Sequence, residues 1–333
     1  MVIALLLSTI ALAVVFDFTN GFHDTANAIA TSISTRALSP RQAVGLSAVL
    51  NLLGAVVTVV FFGSAVSNTI SQLVPNPTLT MLIAALVGAT IWNLVTWFYG
   101  LPSSSTHAFV GGLIGAGIAS AGSFGGVHWA AVAKVAVGLV LSPPLGFLVA
   151  FAFMVALYLL ARRGRPSRLN RSFRHLQILT GSFISYSHGS NDAQKSMAAM
   201  TMALLVTGHI QHFAVPIWVV FVAAIAIAFG TYAGGWRIIR TLGWRIYKLE
   251  PATGMGAQLA GSIVIQVGTL FGFPVSTTHV VTGSVMGAGA PRQLNATAWG
   301  VGVNIIVAWI LTIPASALIG WLVFAVLHTA RLG

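Results

Sequence analysis

This 333-residue chain predicts an all-α polytopic membrane protein made of two inverted-topology repeats, each with a broken helix and a re-entrant hairpin. Three observations predict it. Charged residues are 6% of the chain, against about 25% in a soluble domain. Apolar residues reach 57%, with a mean hydropathy of +0.92. Two motifs each occur twice, in the same order.

The apolar runs supply the elements. Uncharged or nearly uncharged stretches cover 42–63, 80–101, 129–161, 213–233 and 296–327, each as long as the ~20 residues a helix needs to cross a bilayer. Residues 1–15 have neither the positive n-region nor the cleavage site of a signal peptide and are read as part of the mature structure. The net charge of +12 does not point to nucleic acid: acidic residues are scarce because membrane segments exclude them, and no basic stretch is interleaved with aromatics. With no cysteine there is no thiolate metal site.

The duplication divides the chain. "FTNGFHDTANAIAT" (18–31) resembles "YSHGSNDAQKSMAA" (186–199), so that Gly21 and Asp24 pair with Gly189 and Asp192. "LPSSSTHAFVGGLIGAG" (101–117) resembles "FPVSTTHVVTGSVMGAG" (273–289), and Pro144 stands opposite Pro314. The halves are 1–161 and 176–333, joined by a linker at 162–175 with six arginines. The positive-inside rule makes that linker cytoplasmic, along with the basic loops at 36–41, 237–248 and Arg292. Crossings at 1–35, 42–63 and 129–161, with a hairpin at 80–120 entered from outside, satisfy the first half. Crossings at 174–207, 213–235 and 296–328, with a hairpin at 255–289 entered from inside, satisfy the second. Three crossings per half invert the repeats and leave both termini outside. Inverted repeats of this kind are common in secondary transporters, with the site near the midplane between broken segments.

The motifs carry the chemistry. Pro102 and Pro274 are read as sitting in the first turn of new helices. Ser104, Ser105 and Thr106, and likewise Ser276, Thr277 and Thr278, then place hydroxyls and free backbone N–H groups at helix N-termini, which attract oxyanions. The competing reading is that these residues only cap membrane helices. His107 and His279 are either proton carriers or packed, hydrogen-bonded rings. Asp24 and Asp192 are functional candidates because a carboxylate at membrane depth costs roughly 2.5–3.5 kcal/mol on insertion scales. Gly21 and Gly189 would let the backbone open beside them. Three-residue spacing puts Asn27 on the face of Asp24 and Lys195 on the face of Asp192. The first half thereby offers oxygens for a cation, and the second an internal ion pair, with Asn191 beside it. Asp17, opposite Ser185, is either a further coupling carboxylate or an interfacial residue. Glu250 reads as a solvated loop charge.

Together "GFHDTANA", "SHGSNDAQKSM", "LPSSSTH" and "FPVSTTH" resemble the duplicated signatures of the PiT family of inorganic phosphate transporters over essentially the whole chain. The resemblance implies secondary phosphate transport rather than catalysis, a homodimer in the cytoplasmic (inner) membrane among lipid, and sites at Asp24, Asn27, Asp192 and the hairpin hydroxyls. It implies no cofactor; the co-transported species are a proton, sodium or a divalent metal bound to phosphate. Sodium-coupled members resemble "ND..N" in both halves, whereas the second half here reads "NDAQK". Lys195 therefore points to the bacterial low-affinity branch, associated with proton coupling and metal–phosphate substrates. The rivals are a sulfate permease of the same fold and a sodium-coupled symporter. More distant are a passive anion channel and an intramembrane aspartyl protease, whose GxGD is absent where both halves read GxxD.

Overall fold

The structure is a computed structural model that describes residues 1–161, 166–245, 249–291 and 299–330. The described residues form α-helices with short turns, one 3₁₀ turn and one π turn. In chain order they are α1 (Val2–Ser34), α2 (Pro40–Phe62), α3 (Ala65–Ser71), α4 (Leu79–Tyr99), α5 (Ser105–Ala121), α6 (Trp129–Ala161), α7 (Pro166–Val206), α8 (Ile217–Ala233), α9 (Trp236–Arg240), α10 (Pro251–Leu270), α11 (Thr277–Gly289) and α12 (Trp299–Thr329).

Local chemistry sets the boundaries. Ser39 caps α2 with Pro40 behind it, and Gln42 reaches back to the Ser39 backbone N–H at 3.1 Å. Thr78 caps α4, which ends at Gly100 with φ +67°, a left-handed C-cap conformation that a Cβ would disfavour. Glu250 sits at the exposed N-cap of α10 rather than in a free loop, and its backbone N–H donates to the Thr253 hydroxyl at 2.9 Å. At Gly234–Gly235 the chain bends by 59° between α8 and α9.

Packing exchanges helices between the halves. α1 packs mainly on α8 and α2 on α7; α5 packs on α12 and α11 on α6. Glycine permits the closeness, because a Cβ at Gly111 or Gly115 would collide with the α12 backbone, and one at Gly283 or Gly287 with that of α6. Membrane helices associate through such small-residue contacts, having no hydrophobic drive between them. Two apolar cores result. One contains Leu6, Ala13 and Phe16 of α1 with α3, α4, α5 and α8; the other contains Ala26, Ile29 and Ile33 with α6, α10 and α11. The polar stretch Asp17–Asp24 lies between them.

Several sequence expectations are corrected. α1 and α7 are helical throughout the acidic motifs, so the expected helix break is not there. Gly21 and Gly189 instead admit the backbones of α8 and α2, at Ile227 and Asn51 respectively. Pro102 and Pro274 lie two residues before the capping serines, not in the first helical turn. A serine oxygen can accept an orphan N–H and a proline ring cannot, so serine takes the cap. The basic linker is helical from Pro166, and α7 starts eight residues before the expected 174. Residues 162–165, Lys248 and Arg292 lie outside the described residues. α11 has 13 residues and rises ~20 Å, less than the ~30 Å hydrocarbon layer.

Gly115→Ala should destabilise the fold by roughly 1–3 kcal/mol, because the new methyl meets a backbone carbonyl. Gly45→Ala, where nothing lies within 4 Å, should not. Thermal unfolding of the two purified variants in one detergent compares them.

Candidate functional site

α1 and α7 run side by side and bring the two acidic motifs together, with the N-termini of α5 and α11 closing over them. Asp24 and Asp192 are 1% and 0% exposed. Asp24 accepts from Ser105 at 2.8 Å through one oxygen, and from Thr278 at 3.3 Å through the other. Asp192 accepts from Thr277 at 3.2 Å. Each carboxylate thus holds a hydroxyl at the hairpin tip of its own half.

The residues three positions on reach across to the opposite half. Asn27 donates to the Thr278 hydroxyl at 2.9 Å. Lys195 donates to Ser105 at 2.8 Å and Thr106 at 3.4 Å, while its ammonium stays 3.2 Å from Asp192. The expected ion pair is present, and it also bridges to the other half. The chain of contacts Asp24–Ser105–Lys195–Asp192 is continuous. At this position the two halves of the site differ, an amide on α1 and an ammonium on α7.

Two histidines that sequence reasoning did not place here complete the cluster. His23 Nδ1 is 2.7 Å from Asp24, and its Nε2 is 3.1 Å from the Thr96 hydroxyl, which also accepts from Ser103 at 2.8 Å. His188 Nε2 is 3.1 Å from Asp192. Its Nδ1 lies 2.7 Å from the Asn51 side-chain oxygen, and Asn51 in turn donates to Thr231 at 3.0 Å. The signal was available for His188, which stands one helical turn before Asp192. His23 adjoins Asp24, a spacing that does not by itself place two side chains on one helical face.

Other predicted residues have other roles. The Ser104 and Ser276 oxygens accept from the backbone N–H groups of His107 and His279, each at 3.2 Å, and so serve as caps. The imidazoles of His107 and His279 lie tilted against each other, their centroids 4.5 Å apart. No hydrogen bond among the described residues joins either ring to Asp17, Asp24 or Asp192. Asp17 lies two turns before Asp24, fully buried, and accepts from Ser196 at 2.7 Å. Asn191 is buried with an unpartnered side-chain amide nitrogen.

The charges and orphaned atoms say what the site can take. Asp24, Asp192 and Lys195 carry a formal charge of −1 between them. Asp192 Oδ1 and Asn27 Oδ1 are buried acceptors without donors, which a proton or cation would satisfy. One ligating atom from each of Asp24, His188 and Asp192 lies within 4.8 Å of the other two, an oxygen–nitrogen–oxygen set that fits a divalent cation.

The sequence profile described as "Phosphate transporter family" matches residues 20–320. The chain belongs to that family. This phosphate transporter is 44% identical over 324 residues to a protein of Rhizobium meliloti (strain 1021), with 96% of each chain covered. It is 42% identical over 322 residues to one of Bacillus subtilis (strain 168), with 95% of each covered. Both are described as "Probable low-affinity inorganic phosphate transporter". Among solved structures it matches one titled "The sodium-dependent phosphate transporter", at a TM-score of 0.89 and 25% identity, covering 98% of this chain and 99% of that one. The family consists of transporters, so the chain is not read as an enzyme.

Removing one member of a buried ion pair leaves the other charge uncompensated. Lys195→Met should therefore destabilise the transporter by roughly 3–5 kcal/mol, and Asp192→Asn added to it should recover part of that loss. A double-mutant cycle on detergent-solubilised protein measures the coupling.

Proposed function

We propose that this transporter imports inorganic phosphate by proton symport with alternating access, the anion binding at the two hairpin tips. The observation that carries the reading is the continuous contact Asp24–Ser105–Lys195–Asp192. The helix N-termini and the Ser105, Thr106, Thr277 and Thr278 hydroxyls present neutral donors to the phosphate oxygens. The surrounding charge argues for coupling. A phosphate anion entering a cluster of formal charge −1 would add like charge in a low dielectric, at a cost that rises steeply with burial. A proton taken up with it offsets that cost. Hydrogen phosphate also has a proton that a carboxylate can accept; sulfate near neutral pH has none. Lys195 supplies a built-in cation where sodium would otherwise be held, and together with Asp192 it offers the proton site.

The arginines at 162–175 support a cytoplasmic linker, both termini outside and inverted repeats in the inner membrane. The exchanged helix packing accords with such repeats. The family resemblance supports a homodimer. A second reading rests on Asp24, His188 and Asp192: phosphate enters as a neutral divalent metal–phosphate complex, with the metal held by that set.

Phosphate uptake into proteoliposomes in sodium-free buffer with an acidic exterior should accumulate substrate and collapse with a protonophore. A requirement for sodium would overturn the proton reading, and a requirement for Mg²⁺ would favour the metal complex. Accumulation of sulfate alone would overturn the substrate assignment. Lys195→Asn should abolish uptake or make it sodium-dependent. In the same assay Ser105→Ala should raise the phosphate KM about 10-fold or more, the effect of losing a hydrogen bond to a charged group.

A further inference from the structure

His107 and His279 are not joined to the carboxylates, yet each is fixed at a hairpin tip. Their backbone N–H groups bind the capping serines, so each ring is rigidly attached to the turn that carries Ser105 and Thr106, or Thr277 and Thr278. The rings lie 4.5 Å apart with planes 36° from parallel. Trp309 of α12 lies against His279, their ring centroids 3.7 Å apart and planes 30° from parallel. The same indole donates its N–H to the Pro102 carbonyl at 3.0 Å. One side chain therefore grips the backbone of the first hairpin and the ring of the second.

The grip is one-sided. Pro144 and Pro314 set an offset of 170 between α6 and α12, which places Leu139 opposite Trp309. The Leu139 backbone hydrogen-bonds His279, and its aliphatic side chain has neither a ring face nor an N–H. Beside the rings lies an open groove of about 240 Å³, lined by His107, His279 and Trp309 with the exposed Val140, Ile306 and Ile310.

We propose that Trp309 is a positioning residue for transport: by stacking on His279 and binding the Pro102 carbonyl, it sets the distance between the two hairpin tips. This rests on the reading that the tips bind phosphate. The tips also meet directly, the Thr106 hydroxyl donating to the Val275 carbonyl at 3.4 Å, and Trp309 adds a contact to each that has to give before they separate.

The chain has no native cysteine, so nitroxides at Ser120→Cys and Met286→Cys report the separation of α5 and α11, the helices that carry the tips, in nanodiscs. Uptake kinetics of full-length protein in proteoliposomes supply KM and maximal rate. Trp309→Leu, which installs the α6 residue, should broaden the spin–spin distance distribution and raise the phosphate KM about 10-fold, with the maximal rate within about twofold. Trp309→Phe keeps a ring on His279 and should leave the distance narrow, with KM raised about threefold through the lost N–H. An unchanged distance in Trp309→Leu overturns the proposal whatever KM does, and a broadened distance with unchanged KM overturns it as well. Should Trp309→Leu not be recovered folded, a Trp309→Phe KM within about twofold of the parent overturns it. Failure of the underlying reading shows separately, as a Ser105→Ala variant whose KM does not move.

Discussion

The ammonium of Lys195 lies between Asp192 on its own helix and Ser105 on the opposite hairpin, and much of the surrounding architecture follows from that placement. A buried charge needs partners on several sides. One helix can offer only the residues three or four positions away, as α7 does with His188 and Lys195 around Asp192. The remaining partners come from the other half, which requires the hairpin tips to reach the centre of the molecule. They reach it because glycines along α5 and α11 let those helices pack backbone to backbone on α12 and α6.

The same constraint links stability to function. Hydroxyls that would bind an anion are, in this structure, held by the carboxylates and by Lys195. On the proposed reading, an arriving phosphate would compete with those internal bonds rather than fill a passive cavity. Nothing in the cluster grips the anion as an arginine fork would. Exchange of one set of hydrogen bonds for another keeps the net gain small, which suits a carrier that has to release its cargo.

Pseudo-symmetry accounts for most of the site and its violations for the rest. Asp24 and Asp192 use their hairpins alike, and Asn27 and Lys195 both reach across. The exceptions are the Asn27–Lys195, His23–Asn191, Asn20–His188 and Asp17–Ser185 differences between α1 and α7, and the Trp–Leu difference between α12 and α6. Two halves with identical chemistry would have no built-in preference between opening to one side and to the other. The Asn–Lys and Trp–Leu differences bear on the hairpin tips, where such a preference would act.

The sequence by itself determined the membrane class, the duplicated motifs, the helical hairpins and the residues at the centre: Asp24, Asn27, Asp192, Lys195 and the tip hydroxyls. It did so because hydrocarbon excludes charge, so every buried carboxylate or ammonium stands out against the apolar background. Spacing along one helix was legible as well, and the Asp192–Lys195 pair is its direct product. Contacts between distant segments were not. That His23 faces Thr96, that Asn51 orients His188 and that Trp309 spans both hairpins depend on which helices cross where, and no local pattern encodes a crossing. Glycine was misread for the same reason: at Gly21 and Gly189 the sequence shows a missing side chain, and only the neighbouring backbone shows that the gap is filled by another helix rather than by a break in its own.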